Sequence, residues 1–313
     1  LAMQNVDSSG AVVGRLSALN SAGSILGTFM GGFVLISLFP SGVILMLAAS
    51  MLAVLSVLVY TGAWRRIIAV VVFVLLSCEA KYADTHGLIT NPDAAQSLMY
   101  MDNPSELVSE YTKFYDLAFH YKPDTKRVLM LGGGGYCVPR YLLENRRDVS
   151  VDVVELDPGV TEAARQYFNL KDDENMRIYH EDARTFLNRA GHSKIEPYDA
   201  IFMDTFSSWT VIPFQMTTIE TAARLRALLK PDGVLIVNII ASVHGPKSGV
   251  FHGIYKAFSS SFDTMMIFPV NAPETKYAYA LQNIILVGMN GDYAAVSEPD
   301  KKYERLLSHQ WLE

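Results

Sequence analysis

The chain has 313 residues, of which 50% are hydrophobic, and a formal net charge of −6 at pH 7. This length allows more than one compact unit, and the acidic charge argues against a nucleic acid as a partner. With two cysteines, the composition does not suggest a framework of several disulfide bonds.

The amino-terminal region, residues 1–80, is predicted to be a transmembrane helical region. Residues 16–64 contain no Asp, Glu, Lys or Arg, and Pro40-Ser41-Gly42 divides this apolar stretch in two. Because about 20 apolar residues in a helix span a bilayer, we predict spans near 16–39 and 43–64 that anchor the chain in a membrane.

The side of the membrane on which the next domain lies depends on a third apolar run, 67–78, which is short for a span. Arg15, Arg65 and Arg66 flank the first two spans on one side, and the positive-inside rule makes that side cytoplasmic. Charge counting leaves both topologies open. We predict an integral protein of a bacterial-type inner membrane with a cytosolic domain, because the ligand inferred below is made in the cytosol.

The remaining chain divides into a lead-in and a larger domain. Residues 81–126 contain "QSLMYM", a predicted strand, and "SELVSEYTKFYDLAF", a predicted helix. Across 127–313, seven short apolar runs rich in Val, Ile and Leu alternate with helical patterns. That alternation predicts an α/β fold with a doubly wound, mostly parallel seven-stranded sheet.

Four candidate binding features follow the first four runs. The glycines of "GGGG" (132–135) follow the first run, Glu155 ends the second, Asp182 follows the third and Asp204 follows the fourth. Ligands of such sheets bind beyond the carboxyl ends of the strands, so these residues are predicted to line one rim.

The type of ligand is inferred from spacing. Glu155 lies at a strand end, where a carboxylate can accept hydrogen bonds from both hydroxyl groups of a ribose. This position suits NAD and S-adenosyl ligands alike. The third glycine of a dinucleotide motif is replaced by Cys137, which weakens the NAD interpretation. Asp182 suits the exocyclic amine of an adenine, whereas the simpler interpretation of Asp182, and of Asp157, is a helix N-cap.

For several other residues the simplest interpretation of the sequence is a structural role. The seven histidines show no metal-ligand spacing, so no metal is expected. Arg140 is expected to face solvent, and Asn238 and Asn283 to satisfy backbone groups at strand ends. Phe206, Trp209 and Phe214 form either an apolar wall for an acceptor or part of the core.

At "VLMLGGGGYCVPRYLLE", "VDVVELDPGV", "HEDARTFL" and "YDAIFMDTFSS" the chain resembles the spermidine synthase (polyamine aminopropyltransferase) family, in particular its membrane-fused members. The resemblance implies a methyltransferase-type fold and often a homodimer. It implies an S-adenosyl group cradled by Gly132, Gly133 and Gly134, with Glu155 on the ribose and Asp182 on the adenine. It also implies Asp204 as the acid that accepts a proton from the attacking amine, Tyr111 in the amine pocket, and Gln96 beside the ligand.

The chain departs from this family at two acids that bind ammonium groups. Gly135 stands where the family's glycine loop carries an acid, and Ser207 stands where the following loop carries a second one. Charge-assisted hydrogen bonds of about 1.5–3 kcal/mol each would be lost, so a diamine such as putrescine is expected to be held less well.

Three functions are compatible with these residues. The first is transfer of an aminopropyl group from decarboxylated S-adenosylmethionine to a small amine or other acceptor. The second is methyl transfer from intact S-adenosylmethionine, whose carboxylate needs a cationic or amide partner. The third is a non-catalytic nucleoside sensor coupled to the membrane, although a sensor has no need of a base such as Asp204.

Overall fold

A computed structural model of the chain describes residues 85–89, 95–146, 148–193, 195–208, 210–271, 277–291 and 303–311, with helical pieces at 14–15, 17–18, 21–24 and 27. Its contacts divide the chain into two compact units, Leu1–Thr85 and His86–Glu313. The predicted spans and the run 67–78 lie almost wholly outside the described residues. Within the described ranges, no helix combines the length and the apolar character that crossing a membrane requires.

The described residues form nine strands and seven α-helices. The strands are β1 (Thr85–Leu88), β2 (Ser97–Tyr100), β3 (Arg127–Leu131), β4 (Ser150–Glu155), β5 (Met176–His180), β6 (Tyr198–Met203), β7 (Leu229–Ala241), β8 (Thr264–Pro269) and β9 (Gln282–Met289). The helices are α1 (Leu117–Tyr121), α2 (Cys137–Asn145), α3 (Pro158–Tyr167), α4 (Ala183–Ala190), α5 (Ile219–Leu228), α6 (Gly249–Ser259) and α7 (Glu304–Leu307). Two 3₁₀ helices cover Glu110–Asp116 and Phe214–Met216.

The main sheet has seven strands in the order β5-β4-β3-β6-β7-β9-β8. Neighbours from β5 to β7 are parallel, whereas β9 is antiparallel to both β7 and β8. The predicted mostly parallel seven-stranded sheet is therefore confirmed. The chain runs outward from β3 through β4 to β5 and then returns to place β6 on the other side of β3. This reversal of strand order is where ligands bind in such sheets.

Helices cover both faces of the sheet. The strand residues that point to one face and those that point to the other are both apolar, so each face must be buried. Along β3, Val128 and Met130 join a buried cluster with residues of α1 and α2, whereas Leu129 and Leu131 join a second cluster with residues of α4, α5 and α6. Side chains of a strand point to opposite faces in alternation, so an unbroken apolar run produces two cores.

The lead-in differs in detail from the prediction. β2 corresponds to the predicted strand "QSLMYM", and it pairs with β1 in a separate two-stranded sheet. The segment predicted as one helix begins as the 3₁₀ helix Glu110–Asp116 and continues as the short helix α1. The 3₁₀ helix places Tyr111 at the cavity described next.

Candidate active site

A cavity of about 1060 Å³ opens beyond the carboxyl ends of the central strands. The structure brings to its lining every residue that the sequence predicted for the site: Gln96, Tyr111, Gly132, Gly133, Gly134, Glu155, Asp182 and Asp204. These residues come from six separate segments, and the strand order gathers them at one place. Gln96 is the most peripheral of them, since it is exposed and precedes β2.

The glycine loop between β3 and α2 is constrained by the protein itself. Gly132 has φ of +94°, and a Cβ at this position would collide with the backbone carbonyl oxygen of Asp204. Gly134 has φ of +50°, and a Cβ there would lie 2.8 Å from the Ser97 hydroxyl oxygen. Glycine is thus required at both positions for its backbone conformation and for close approach.

Glu155 fastens this loop to the end of β4. Its Oε2 accepts hydrogen bonds from the backbone amides of Gly133 (2.9 Å) and Gly134 (3.2 Å), and its Oε1 accepts one from the amide of Asp157 (3.0 Å). A carboxylate has about four acceptor positions, so capacity for ligand hydroxyl groups remains. Glu155 therefore shapes the loop as well as facing the cavity.

Asp182 is the N-cap of α4, as the simpler interpretation of the sequence predicted. Its Oδ1 accepts a hydrogen bond from the Thr185 amide at 2.9 Å. Its other oxygen accepts no hydrogen bond from the described residues, and the side chain borders the cavity. Asp157 likewise caps α3 through the Gly159 amide, but it does not line the cavity.

Asp204 follows β6 and is held by side chains from other elements. The Tyr111 hydroxyl donates to its Oδ2 at 3.2 Å, and Asn238 Nδ2 donates to its Oδ1 at 2.8 Å. The Asp204 side chain is partly buried, and its remaining exposed surface borders the cavity. Burial raises the pKa of Asp204 above its usual range, and the polar side chains of Asn238, Tyr115 and Tyr111 beside the carboxylate limit that rise.

The interpretation of Asn238 and Asn283 as strand-end residues that bond the backbone was wrong. Asn238 on β7 bonds Asp204, and Asn283 Nδ2 on β9 donates to Asn238 Oδ1 at 2.9 Å. Both side chains line the cavity. The two strands are antiparallel neighbours, so their side chains meet diagonally on one face.

Tyr115 is a further residue near Asp204 that the sequence reasoning missed. Its side chain is buried, and burial followed by the charge of Asp204 raises the pKa of its hydroxyl well above its usual range. The hydroxyl lies near the Asp204 carboxylate but does not reach the distance and angles of a hydrogen bond with any described residue. The available signal was its position four residues after Tyr111 in a segment predicted to be helical, because that spacing places two side chains on one face of an α-helix.

The prediction that Arg140 faces solvent was also wrong. Arg140 on α2 is 6% exposed, and its guanidinium donates to the backbone carbonyl oxygens of Phe168 and Pro104. Arg140 also donates to Met99 Sδ, whereas its Nε has no hydrogen-bond partner among the described residues. Arg140 does not border the cavity and is therefore committed to the fold.

The two positions that depart from the resembled family have different surroundings. A Cβ at Gly135 would lie 2.8 Å from both Ser97 Cβ and the Phe168 ring, so the space for an acid there is filled. Ser207 lies in an exposed loop, where its hydroxyl donates to the Val211 carbonyl at 3.1 Å. Phe206 and Phe214 line the cavity beside it, whereas Trp209 falls outside the described residues.

The family follows from the sequence comparison. The description "Spermine/spermidine synthase domain" belongs to the family model that matches residues 110–281, which is more than half of the chain. The chain belongs to this family. The match begins in the 3₁₀ helix that carries Tyr111 and ends just before β9.

Curated relatives of this spermine/spermidine synthase domain fall into two groups. The polyamine aminopropyltransferase of Vibrio vulnificus is 29% identical over 169 residues, which are 53% of this chain and 56% of that protein. The eEF1A lysine and N-terminal methyltransferase of Bos taurus is 26% identical over 137 residues, 42% of this chain and 20% of that protein. The chain thus spans about half of the first relative and a fifth of the second.

Solved structures show the same fold. A probable spermidine synthase from Corynebacterium glutamicum matches with a TM-score of 0.57 and 21% identity over 68% of this chain and 75% of that chain. Human methyltransferase-like protein 13 in complex with SAH matches with a TM-score of 0.52 and 19% identity, over 64% of this chain and 92% of that chain. In the described part of our chain, no group of three His, Cys, Asp or Glu residues is arranged to hold a metal ion.

Proposed function

We propose that this domain transfers an aminopropyl group from decarboxylated S-adenosylmethionine to an amine, with Asp204 as the proton acceptor. The observation that carries the proposal is the position of Asp204. A buried carboxylate stands at the point where strand order reverses, and its backbone touches the glycine loop proposed to hold the donor. Membership of the spermine/spermidine synthase family supports the same reaction.

The charges of the cavity support the decarboxylated donor. The carboxylates of Glu155, Asp182 and Asp204 line it, and so does that of Glu110, which is paired with Lys113 and Arg305. The intact donor would add a further carboxylate beside the first three, whereas the decarboxylated donor carries an ammonium and a sulfonium without it. Arg140, the cation nearest the loop in sequence, is occupied by backbone carbonyl groups.

In the proposed reaction, the amine nitrogen forms a bond to the propyl carbon as the bond from that carbon to sulfur breaks. The electron pair of the broken bond neutralises the sulfonium, and methylthioadenosine leaves. The proton lost by the amine passes to Asp204. An unperturbed alkylamine has a pKa of about 10.4, so it needs this assistance at neutral pH. Orientation of the two reactants supplies much of the rate.

The first prediction concerns Asp204→Asn. We expect turnover to be abolished while methylthioadenosine binds almost normally, because the amide keeps the shape of the side chain but accepts no proton. Calorimetry would measure binding, and mass spectrometry of mixtures with amine acceptors would measure the product. Asp148→Asn, which removes an exposed acid before β4, is the matched control. If binding fell as far as turnover, Asp204 would be structural.

A methyltransferase is the second candidate, supported by the methyltransferases among the relatives and by the fold. The same calorimetric experiment separates the two. Tighter binding of intact S-adenosylmethionine, with no aminopropyl product, would replace our proposal by methyl transfer. Tight binding of every donor without any turnover would instead support a nucleoside sensor. Membrane attachment, a cytosolic domain and a homodimer stay predictions from the sequence.

A further inference from the structure

Two asparagines interrupt the apolar face of the sheet that lies under the 3₁₀ helix Glu110–Asp116. On β7 the residues before Asn238 on this face are Val234 and Ile236, and on β9 the residues after Asn283 are Ile285 and Val287. Asn238 is only 2% exposed. An amide in such a place is costly unless it is hydrogen-bonded, so its partners indicate why it is tolerated.

The partners form a directed chain of hydrogen bonds. Asn283 Nδ2 donates to Asn238 Oδ1 at 2.9 Å, and Asn238 Nδ2 donates to Asp204 Oδ1 at 2.8 Å. The oxygen and nitrogen of an amide are nearly equal in shape, so only its partners determine which one faces a neighbour. Because Asn283 engages the oxygen of Asn238, the nitrogen is turned toward the carboxylate.

We propose that Asn283 is a positioning residue, which orients the Asn238 amide so that Asp204 always meets a donor on Oδ1 and accepts its proton on Oδ2. The proposal rests on the proposed role of Asp204 as the base. Asn283 acts through Asn238 and does not contact Asp204. With its amide reversed, Asn238 would present a carbonyl oxygen to an ionised carboxylate, and this repulsion would hinder ionisation.

The other titratable groups that face Asp204 stay neutral at neutral pH and do not orient the Asn238 amide. Tyr111 and Tyr115 approach from the 3₁₀ helix, and both hydroxyl groups have pKa values well above their usual range, so they are neutral at neutral pH. Cys137 of α2 interacts with Tyr111, and burial raises the pKa of its thiol. The asparagine chain is thus the donor system that comes from the sheet side.

The test uses Asn283→Asp, which replaces the donor by an acceptor. The new carboxylate repels Asn238 Oδ1 and attracts its amide nitrogen, so the amide turns and Asp204 loses its donor. We expect the pKa of Asp204 to rise by about one to two pH units from loss of a charge-assisted hydrogen bond, in addition to direct repulsion by the new charge, which the uncharged Asn283→Leu variant described below separates. Carbon-13 NMR titration of the carboxyl groups would measure it, with Asp204→Asn assigning the signal.

The activity profile provides the second readout. The acidic limb of the pH–rate curve should move to higher pH by the same amount, so that activity lost at neutral pH returns in more alkaline buffer. Methylthioadenosine affinity should stay unchanged, because Glu155 and Asp182 are not touched. Asn188→Asp makes the same substitution on the exposed face of α4 and should leave both curves in place.

A double-mutant cycle tests whether Asn283 acts through Asn238. Asn283→Leu alone should shift the pKa of Asp204, but in an Asn238→Leu background the same change should add no further shift. An unchanged Asp204 pKa in Asn283→Asp would overturn the inference, and so would a uniform loss of rate at every pH. If the wild type shows no turnover with any amine, the proposed function fails, and the NMR titration still decides whether Asn283 positions Asp204.

Discussion

The Asp204 carboxylate depends on residues that are far apart in sequence. Tyr111, Asn238 and Asn283 come from a 3₁₀ helix and two strands, and each contributes one hydrogen bond to the network. The sequence predicted Asp204 and Tyr111, because both fall on recognisable motifs. It did not predict the asparagine chain, since a diagonal contact between β7 and β9 depends on their register, which no local pattern specifies.

At the same scale, Gly135 and Ser207 allow a prediction about diamines. Gly135→Asp should lower the melting temperature without improving putrescine binding, because its Cβ would collide with Ser97 and Phe168. Ser207→Asp should be tolerated in its exposed loop and should improve putrescine affinity by up to about fivefold, as expected for an exposed ion pair.

Calorimetry with putrescine on methylthioadenosine-loaded protein would measure this difference, and differential scanning fluorimetry would measure the melting temperatures. Ser207→Asn, which adds similar volume without charge, is the control. A gain in putrescine affinity from Gly135→Asp would show that the loop can move aside for an acid, contrary to the contacts described here.

Among the secondary-structure elements, helix α4 combines two roles in one side chain. Asp182 caps the helix through the Thr185 amide and also borders the cavity. Asp182→Ser keeps an effective N-cap but is too short to reach a ligand, whereas Asp182→Ala removes both functions. We expect the serine variant to keep its stability and lose nucleoside affinity, and the alanine variant also to lose about 0.5–2 kcal/mol of stability.

Urea unfolding would measure the stability of both Asp182 variants, and calorimetry with methylthioadenosine would measure their affinity. Wild-type affinity in the serine variant would restrict Asp182 to capping α4.

Among the predicted elements, the strands agreed best with the structure, because continuous apolar runs identify buried strands well. The helix predicted in the lead-in was partly 3₁₀, and Arg140 was placed wrongly because tertiary contacts, which periodicity does not encode, determined both.

For the molecule as a whole, the buried Asp204 carboxylate should lower the free energy of unfolding at neutral pH. Burial raises the folded-state pKa of Asp204 above its unfolded value, so folding favours the protonated form. The stabilisation of the fold by the protonated carboxyl group is fully present below about pH 3.9, the pKa of Asp in the unfolded chain. It is lost as pH rises through the raised pKa of the folded state. Asp204→Asn cannot ionise and should therefore be at least as stable as the wild type at neutral pH.

Thermal unfolding of both proteins across a pH series would measure this effect. The advantage of the variant should vanish in strong acid and grow toward neutrality. A variant that is clearly less stable than the wild type at pH 7 would mean that the ionised carboxylate supports the fold, which would weaken the case for Asp204 as a base.

The contact between Gly132 and the backbone of Asp204 has a thermodynamic consequence. The loop proposed to hold the donor lies so close to the backbone of the proposed base that a Cβ on Gly132 would collide with the Asp204 carbonyl oxygen, and we expect neither segment to shift when one substrate arrives. The free energies of binding of nucleoside and amine should then be additive, apart from direct contact between the two ligands. Substrate addition in random order, without cooperativity, is the kinetic behaviour that such a rigid junction favours.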